Sequence, residues 1–507
     1  MTTTTPQETR WVPRLVVLIV GTFMSVLDTS IVNVAVPDIQ RQLGSSADDI
    51  EWIVTGYTLV LGIVVPLTGW LGQRIGVVRL YTLAMISFAM MSALCGLAWN
   101  LPSLIVFRVL QAVPGGVLPV LAMTIVFQIV PPQKLGVAMG MYGFGVVFAP
   151  GVGPTLGGYL VEYIDWTLIF YINVPIGIAG AIAAQAVFPR IPRPTTWPRF
   201  DGWGFVTIAY GLFAILLACS EGSDWGWTGY RVLGLIVSGV LSLALFVVIE
   251  LEVDNPVLDI RTLANRAFLT SLMMLAVTII GLFVTLFYIP QFLQVVQGLQ
   301  ALDTGLTMMP SALVMVVLMP MAGRIYDLVG PRWPAVIGLL IMAYGSFLLA
   351  DLNPNTTREH IMLWTAIRNV GTGLCMMPIM TAGLAALPKN LAAAGSGMNN
   401  VMRQVTASVA VAIFGSIGTV TQAQMLTDRG SLLDRGAQEL PAMAKFQEQG
   451  GSGVMGVYQE MQRTVLASTY AGAFYVIGFI CLLGAAMALL LRSGRAPTKA
   501  PAEPIEV

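Results

Sequence analysis

Charge is what this 507-residue chain lacks most: 10% of its residues are Asp, Glu, Lys or Arg, against roughly 25% in an ordinary soluble domain. Hydrophobic residues make up 56%, which excludes a water-soluble fold. The few charges balance to a formal net of zero and form no block of one sign, so nothing points to a nucleic-acid partner. Histidine is almost absent. The single one, His360, falls at a helix edge with no HExxH or other ligand spacing, so no metal site is expected. No glycine precedes any of the four lysines, so the chain has no G-x-x-x-x-G-K-[ST] loop to cradle ATP phosphates. Neither an ATPase nor a histidine-based metalloenzyme is supported, and no cofactor is expected. The four cysteines, Cys95, Cys219, Cys375 and Cys481, each stand alone in an apolar stretch without CxxC spacing. They read as packing residues rather than disulfides or ligands. The polar Met1 to Arg10 segment leads into an apolar stretch with no small-residue cleavage site, which predicts that no signal peptide is removed.

What is present is apolar length. A helix needs about 20 apolar residues to cross about 30 Å of hydrocarbon. Such stretches occur at Arg14–Val36, Ile53–Leu71, Leu80–Ala98, Ser103–Phe127, Gly136–Leu160, Leu168–Val187, Gly202–Ser220, Val232–Glu250, Ala267–Leu293, Thr304–Ile325, Pro334–Ala350, Ile361–Leu384, Ala394–Val420 and Val465–Leu491, predicting about fourteen spans. With a cytoplasmic N-terminus, most Arg and Lys residues fall inside. Only Arg41, Arg231, Arg358, Arg429, Arg435, Lys445 and Arg463 fall outside. The positive-inside rule therefore predicts cytoplasmic termini. The polar loop Thr421–Thr464 is expected to be extracytoplasmic and partly helical, divided at Pro441 and at Gly450 to Gly453. It would cover the outer mouth, meet an accessory protein or act as a mere tether.

Two turns repeat one pattern, Gly69 to Arg79 and Gly323 to Arg332. Both read G-x-x-x-polar-x-x-G with arginine close behind. They lie about 254 residues apart, which fits two six-helix halves with a helix pair inserted between them. The expected division is a tail over 1–13, a first bundle over 14–188, a linker and helix pair over 189–266, a second bundle over 267–491 that includes the loop 421–464, and a tail over 492–507.

Along its whole length the chain resembles the fourteen-helix drug:proton antiporter branch of the major facilitator superfamily. Leu27-Asp28-Thr29 through Pro37 is similar to the first-helix signature of that branch. The turn Gly69, Gln73, Arg74, Gly76, Arg79 is similar to the loop between helices two and three. Arg108-Val109-Leu110-Gln111 resembles the fourth-helix arginine motif. Gly145 through Ala149-Pro150-Gly151-Val152-Gly153-Pro154 to Gly157-Gly158 resembles the fifth-helix antiporter motif, followed by Phe170 to Gly177. Three positions depart from the pattern: Gln73 replaces an aspartate that Asp327 keeps in the second half, and Ala112 and Ala149 replace glycines. The resemblance implies an all-α membrane protein with two six-helix pseudo-repeat bundles plus an inserted pair. It also implies a bacterial inner or plasma membrane location and proton-driven export of small lipophilic drugs or metabolites by alternating access. A dedicated exporter of one lipid, siderophore or antibiotic, or an uptake porter, stays open, and the protein is expected to work as a monomer.

Read as chemistry, Asp28 lies about 20 Å from Arg14 and about 13 Å from Pro37 along a helix, within the hydrocarbon. An ionisable group there is costly and usually functional. Arg108 is expected in the same half of the membrane, close enough to pair with Asp28. A pair that weakens on protonation is the kind of bistable element a transport switch requires. Small residues at Gly145, Ala149, Gly153 and Gly157 make one ridge for close helix packing, while Pro150 and Pro154 favour a bend. The resemblance adds a hinge or proton seal here. In the two turns, Gly69, Gly76, Gly323 and Gly330 permit tight geometry, and Arg74, Arg79 and Arg332 anchor the membrane edge or join Asp327 in a latch. The expected substrate cavity comprises Trp52, Tyr57, Gln111, Phe283, Phe287, Tyr288, Gln291, Gln294, Met376, Asn399, Asn400 and Arg403. Methionine, present 27 times, suits surfaces that repack around varied ligands. Arg108, Arg368 and Arg403 face one clear core carboxylate, Asp28. That excess speaks against divalent cations and leaves neutral, monocationic and anionic substrates open.

Overall fold

The computed structural model describes residues 11–188, 199–254, 256–388, 391–436 and 451–491. Fourteen long helices carry these residues: α1 (Trp11–Leu43), α2 (Trp52–Ile75), α3 (Val77–Gly96), α4 (Leu101–Ile129), α5 (Leu135–Tyr163), α6 (Asn173–Val187), α7 (Gly202–Trp225), α8 (Tyr230–Glu252), α9 (Arg266–Gln291), α10 (Ala301–Val329), α11 (Arg332–Leu349), α12 (Arg358–Ala385), α13 (Ala392–Gly436) and α14 (Gly451–Ala488). Among the described residues, thirteen spans are long and apolar enough to cross a membrane. The remaining long helix is α12, which carries Arg358, Glu359 and Arg368 and packs inside the second bundle against α9, α10 and α11.

Local sequence sets the ends. Asn100 and Ser103 form a reciprocal capping box at the start of α4, Asp201 caps α7, and Asn265 accepts from the N–H groups of Ala267 and Phe268 at the start of α9. In the repeated turns, Gly76 (φ 93°) and Gly330 (φ 87°) occupy the left-handed region that favours glycine. Each lets one helix end and the next begin almost at once. α9 passes Pro290 into a π-helical turn, Phe292–Val296.

Helices α1 to α6 form one bundle and α9 to α14 the other. The inserted pair lies at the periphery, where α7 packs on α2 and α13, and α8 packs chiefly on α7. The outer side of α8 exposes Val237, Val240, Leu241, Leu245 and Val248, as a lipid-facing helix should.

α1 packs on the small-residue ridge of α5. A Cβ added to Gly153 would lie 2.5 Å from Ser30 Oγ, and one on Gly157 would lie 2.7 Å from Ile31 Cγ1; Gly145 abuts Ile19. Gly158 is off the ridge and would meet nothing within 4 Å. α1 also repairs its neighbours. Pro154 and Pro119 lack the N–H groups that Pro150 and Gly115 carbonyls would accept from. Ser30 Oγ donates to the Pro150 carbonyl at 3.4 Å and Ser25 Oγ to the Gly115 carbonyl at 2.9 Å.

The segment 421–464, expected to be partly helical, is helical over its described residues: α13 runs on to Gly436 and α14 begins at Gly451, each continuous with its span instead of forming separate short helices. No proline or glycine occurs over 421–429 to stop α13. Gly451 and Gly453 stand in the first turn of α14 rather than dividing a segment. Pro441 lies outside the described residues.

Candidate functional site

Five helices of the first bundle converge on Asp28, which is fully buried midway along α1. Arg108 and Gln111 are three residues apart on α4 and so share one face. Arg108 Nη1 donates to Asp28 Oδ2 at 2.5 Å and to Gln111 Oε1 at 2.7 Å. Gln111 Nε2 donates to Asp28 Oδ1 at 3.1 Å. From α6, Asn173 Nδ2 donates to the same Oδ1 at 2.9 Å and to Ser92 Oγ of α3 at 3.1 Å. Ser92 in turn donates to the Phe170 carbonyl at 2.8 Å. From α2, the Tyr57 ring lies under the Arg108 guanidinium, 4.0 Å from centroid to Cζ, in cation–π contact.

The cluster is electrically neutral, yet three of its buried atoms have no partner: the Tyr57 hydroxyl, Arg108 Nε and Asn173 Oδ1. A burial of opposite charges persists only while they stay paired. Neutralising Asp28 would leave a lone guanidinium among apolar walls. The spare donor and acceptor are the positions through which the cluster can rearrange.

Tyr57 and Gln111, expected on a cavity wall, therefore belong to the Asp28 cluster. The remaining cavity residues divide. Tyr288 is buried and donates to the Phe414 carbonyl, with its ring 4.9 Å from that of Tyr470. Tyr470 donates to Gln291 Oε1 at 3.3 Å, while Phe283 and Phe287 are half-buried. Met376 and Asn399 are buried, and Arg403 donates to Asn400 Oδ1 at 3.2 Å. Trp52 and Gln294 are exposed. Two hollows, of about 310 and about 440 Å³, lie at the end of the second bundle away from Asp327. Their walls include Gln297, Arg358 and Arg463, or Asp351 and Tyr475, and no expected cavity residue.

The second element of the site is the seam between bundles, where α5 faces α10. A Cβ on Gly140 would lie 2.5 Å from the Met319 carbonyl oxygen, and Gly136 and Gly323 abut backbone to backbone. Lys134, the residue before α5, provides no side-chain cap. Asp327 does so from the other bundle: its Oδ1 accepts from the Gly136 N–H at 2.9 Å and its Oδ2 from the Val137 N–H at 3.0 Å. Its carboxylate thus meets the positive end of α5. In the corresponding turn of the first half, Gln73 is exposed. Arg74 lies over the Trp70 ring at 5.0 Å and Arg332 over Trp333 at 5.7 Å; Arg79 is exposed.

Sequence reasoning missed Ser92 and gave Asn173 no role beyond its motif. The signal was a lone amide in the apolar run Phe170 to Gly177. Within hydrocarbon such a group needs a partner as much as a charge does.

Two six-helix bundles around a buried charge cluster, with an inserted pair outside them, define a multi-span membrane transporter rather than an enzyme. The chain belongs to the Major Facilitator Superfamily, whose profile matches residues 18–411. It is similar to the uncharacterized MFS-type transporter YhcA of Bacillus subtilis, with 36% identity over 80% of this chain and 76% of that one. It is similar to the multidrug export protein EmrB of Escherichia coli, with 31% identity over 82% and 80%. The tetracenomycin C resistance and export protein of Streptomyces glaucescens is 28% identical over 97% of this chain and 93% of that one. The proton:xylose symporter XylE shares the fold, with a TM-score of 0.60 at 12% identity over 95% of each chain.

Proposed function

We propose that this transporter exports small lipophilic molecules in exchange for protons, with Asp28 as the coupling carboxylate. The observation that carries this reading is the buried Asp28–Arg108 pair, with unpartnered hydrogen-bonding atoms on Arg108, Asn173 and Tyr57 around it. When Asp28 takes a proton, its attraction for Arg108 falls and the guanidinium turns to other acceptors, among them Asn173 Oδ1. Helices α1, α4 and α6 meet at this point, so the rearrangement reaches half the first bundle. Release of the proton restores the pair. Each charge moved through 100 mV supplies about 2.3 kcal/mol.

If the turns carrying Asp327 are cytoplasmic, as the arginine distribution indicates, the tight α5–α10 seam closes the cytoplasmic side. A closed cytoplasmic side belongs to the state in which an exporter takes up a proton and releases its cargo outside. The relative named for tetracenomycin C export is matched along nearly the entire chain, which supports tetracenomycin C among the cargoes to be tried.

The test is transport by purified protein in proteoliposomes under an imposed pH gradient, with a panel of dyes and drugs. Wild type should move at least one against its gradient, and Asp28→Asn, which keeps shape but not charge, should insert normally and move none. Wild-type rates in the Asn variant would remove Asp28 from coupling.

A further inference from the structure

Among the described residues, two core arginines, Arg368 and Arg403, form no ion pair, and they differ in what surrounds them. Arg368 is fully buried and its Nη1 and Nη2 are sealed in. Arg403 is half-buried. It stands at the centre of the inward face of α13, where Ser396, Asn400, Ala407, Ala410 and Phe414, at helical spacing on either side of it, are all buried.

The Arg403 guanidinium makes one hydrogen bond, from Nη2 to Asn400 Oδ1 at 3.2 Å. Nε and Nη1 bond to no described residue, and unlike Arg108 Nε or the Arg368 Nη atoms they keep surface open to water. Space for a ligand group therefore lies against them. Since the residues around Arg403 on its helix are buried, that space is internal and not the lipid side. Tyr142 of α5 lies within electrostatic reach, so the guanidinium projects from the second bundle toward the first. The Tyr142 hydroxyl donates to the Pro119 carbonyl at 3.3 Å and offers no counter-charge. One turn before Arg403, Asn399 Nδ2 also finds no acceptor. The unmet nitrogens of this face are all donors.

A guanidinium does not give up its proton, so this charge is permanent. A cationic cargo would set a second positive charge beside it, and a neutral one would leave its free N–H groups to water. A carboxylate or phenolate answers both, through short charge-assisted bonds to the fork. Met139, Met376 and Met377 join Tyr142 and Ala407 in one buried apolar cluster, and flexible thioethers adapt to an apolar body. We infer that Arg403 receives the anionic group of the cargo, so that the substrates of this transporter are lipophilic anions. The inference deepens the export reading above and rests on it. Of the neutral, monocationic and anionic classes that the sequence leaves open, it selects the last.

The test measures binding to the full-length protein in lipid nanodiscs at neutral pH, by equilibrium dialysis against empty nanodiscs. The probes are naphthoate, anthracenecarboxylate and pyrenecarboxylate, each with its methyl ester and its aminomethyl analogue. On at least one scaffold wild type should bind the carboxylate roughly 10- to 100-fold more tightly than the ester, as hydrogen bonds to a charged group allow, and the ammonium more weakly still. Arg403→Gln, checked for folding by its melting curve, should bind that carboxylate no better than its ester. Arg403→Lys, which keeps the charge but not the fork, should retain part of the preference. Acetate, the charge without the apolar body, should displace the probe only weakly. A wild type that prefers no carboxylate on any scaffold, an undiminished preference in Arg403→Gln, or displacement by acetate as effective as by the aromatic carboxylate would overturn the inference. No gradient is applied, so the result is independent of coupling: an Arg403-dependent preference without gradient-driven transport of the same carboxylate leaves the site standing and refutes export, and export of cations alone does the reverse.

Discussion

Replacing Asp327 by Asn should loosen the seam between the bundles without touching either bundle's interior. The carboxylate accepts two N–H bonds, at 2.9 and 3.0 Å, from the first turn of α5, a helix start with no cap of its own. Asn keeps one acceptor oxygen, but its NH₂ then faces a backbone N–H, and the favourable charge at the helix start is lost. Losing a helix N-cap costs about 0.5–2 kcal/mol, and the charge at the helix terminus contributes about 0.3–1 kcal/mol. Because these contacts exist only while the seam is closed, their sum of about 0.8–3 kcal/mol acts on the conformational equilibrium, shifting it by about 4- to 160-fold toward the open form. The reporter is a cysteine at Met319, which is fully buried in the seam, in a background lacking the four native cysteines. Asp327→Asn should speed its maleimide labelling by that factor. Gln73→Ala, at the corresponding exposed position, should leave it unchanged. Labelling of the Asn variant at the wild-type rate would refute the latch.

Three further outcomes follow from packing. Ser25→Ala and Ser30→Ala each strand a proline-freed carbonyl and should lower thermal stability in detergent by about 1 kcal/mol each, with effects that add; no loss in either would mean those carbonyls are satisfied otherwise. Gly157→Ala should destabilise or misassemble the protein, because its Cβ would press on Ile31, while Gly158→Ala should melt like wild type; the reverse order would refute the register of α1 on α5. Gly76→Ala forces a side chain into positive φ and should cost about 1–2 kcal/mol, read as a lower yield of folded protein in size-exclusion chromatography.

The helix order was legible because membrane spans announce themselves by apolar length, and the two turns because a glycine in left-handed geometry has few substitutes. The Asp28–Arg108 pair was legible too, since an aspartate deep in hydrocarbon must find a cation. Its other partners were not. Asn173 and Ser92 are two small polar side chains among many, and only the crossing of α3 and α6 with α1 makes Asn173 a donor to Asp28 and Ser92 its acceptor. Two of the residues expected on the cavity wall were claimed by the cluster for a similar reason. Tyr57 and Gln111 have the chemistry of a binding wall, but the cation beside them claims both. The expected spans Ala394–Val420 and Val465–Leu491 lie close to Ala392–Gly418 and Met461–Ala488, but how far α13 and α14 continue past them was not legible, because hydropathy marks where the membrane stops and not where the helix does.

The serines of α1 say where this molecule can and cannot come apart. Sliding α1 along α4 or α5 would expose carbonyls that have no second donor, deep where water does not reach. Three helices are thereby riveted into one block. The α5–α10 seam has no such rivets. Its glycines meet through bare backbone, and the two N–H groups gripped by Asp327 sit in the first turn of α5, beside the turn at Lys134, where water can replace the carboxylate. The fault line along which the two halves part is thus drawn by which hydrogen bonds water can take over.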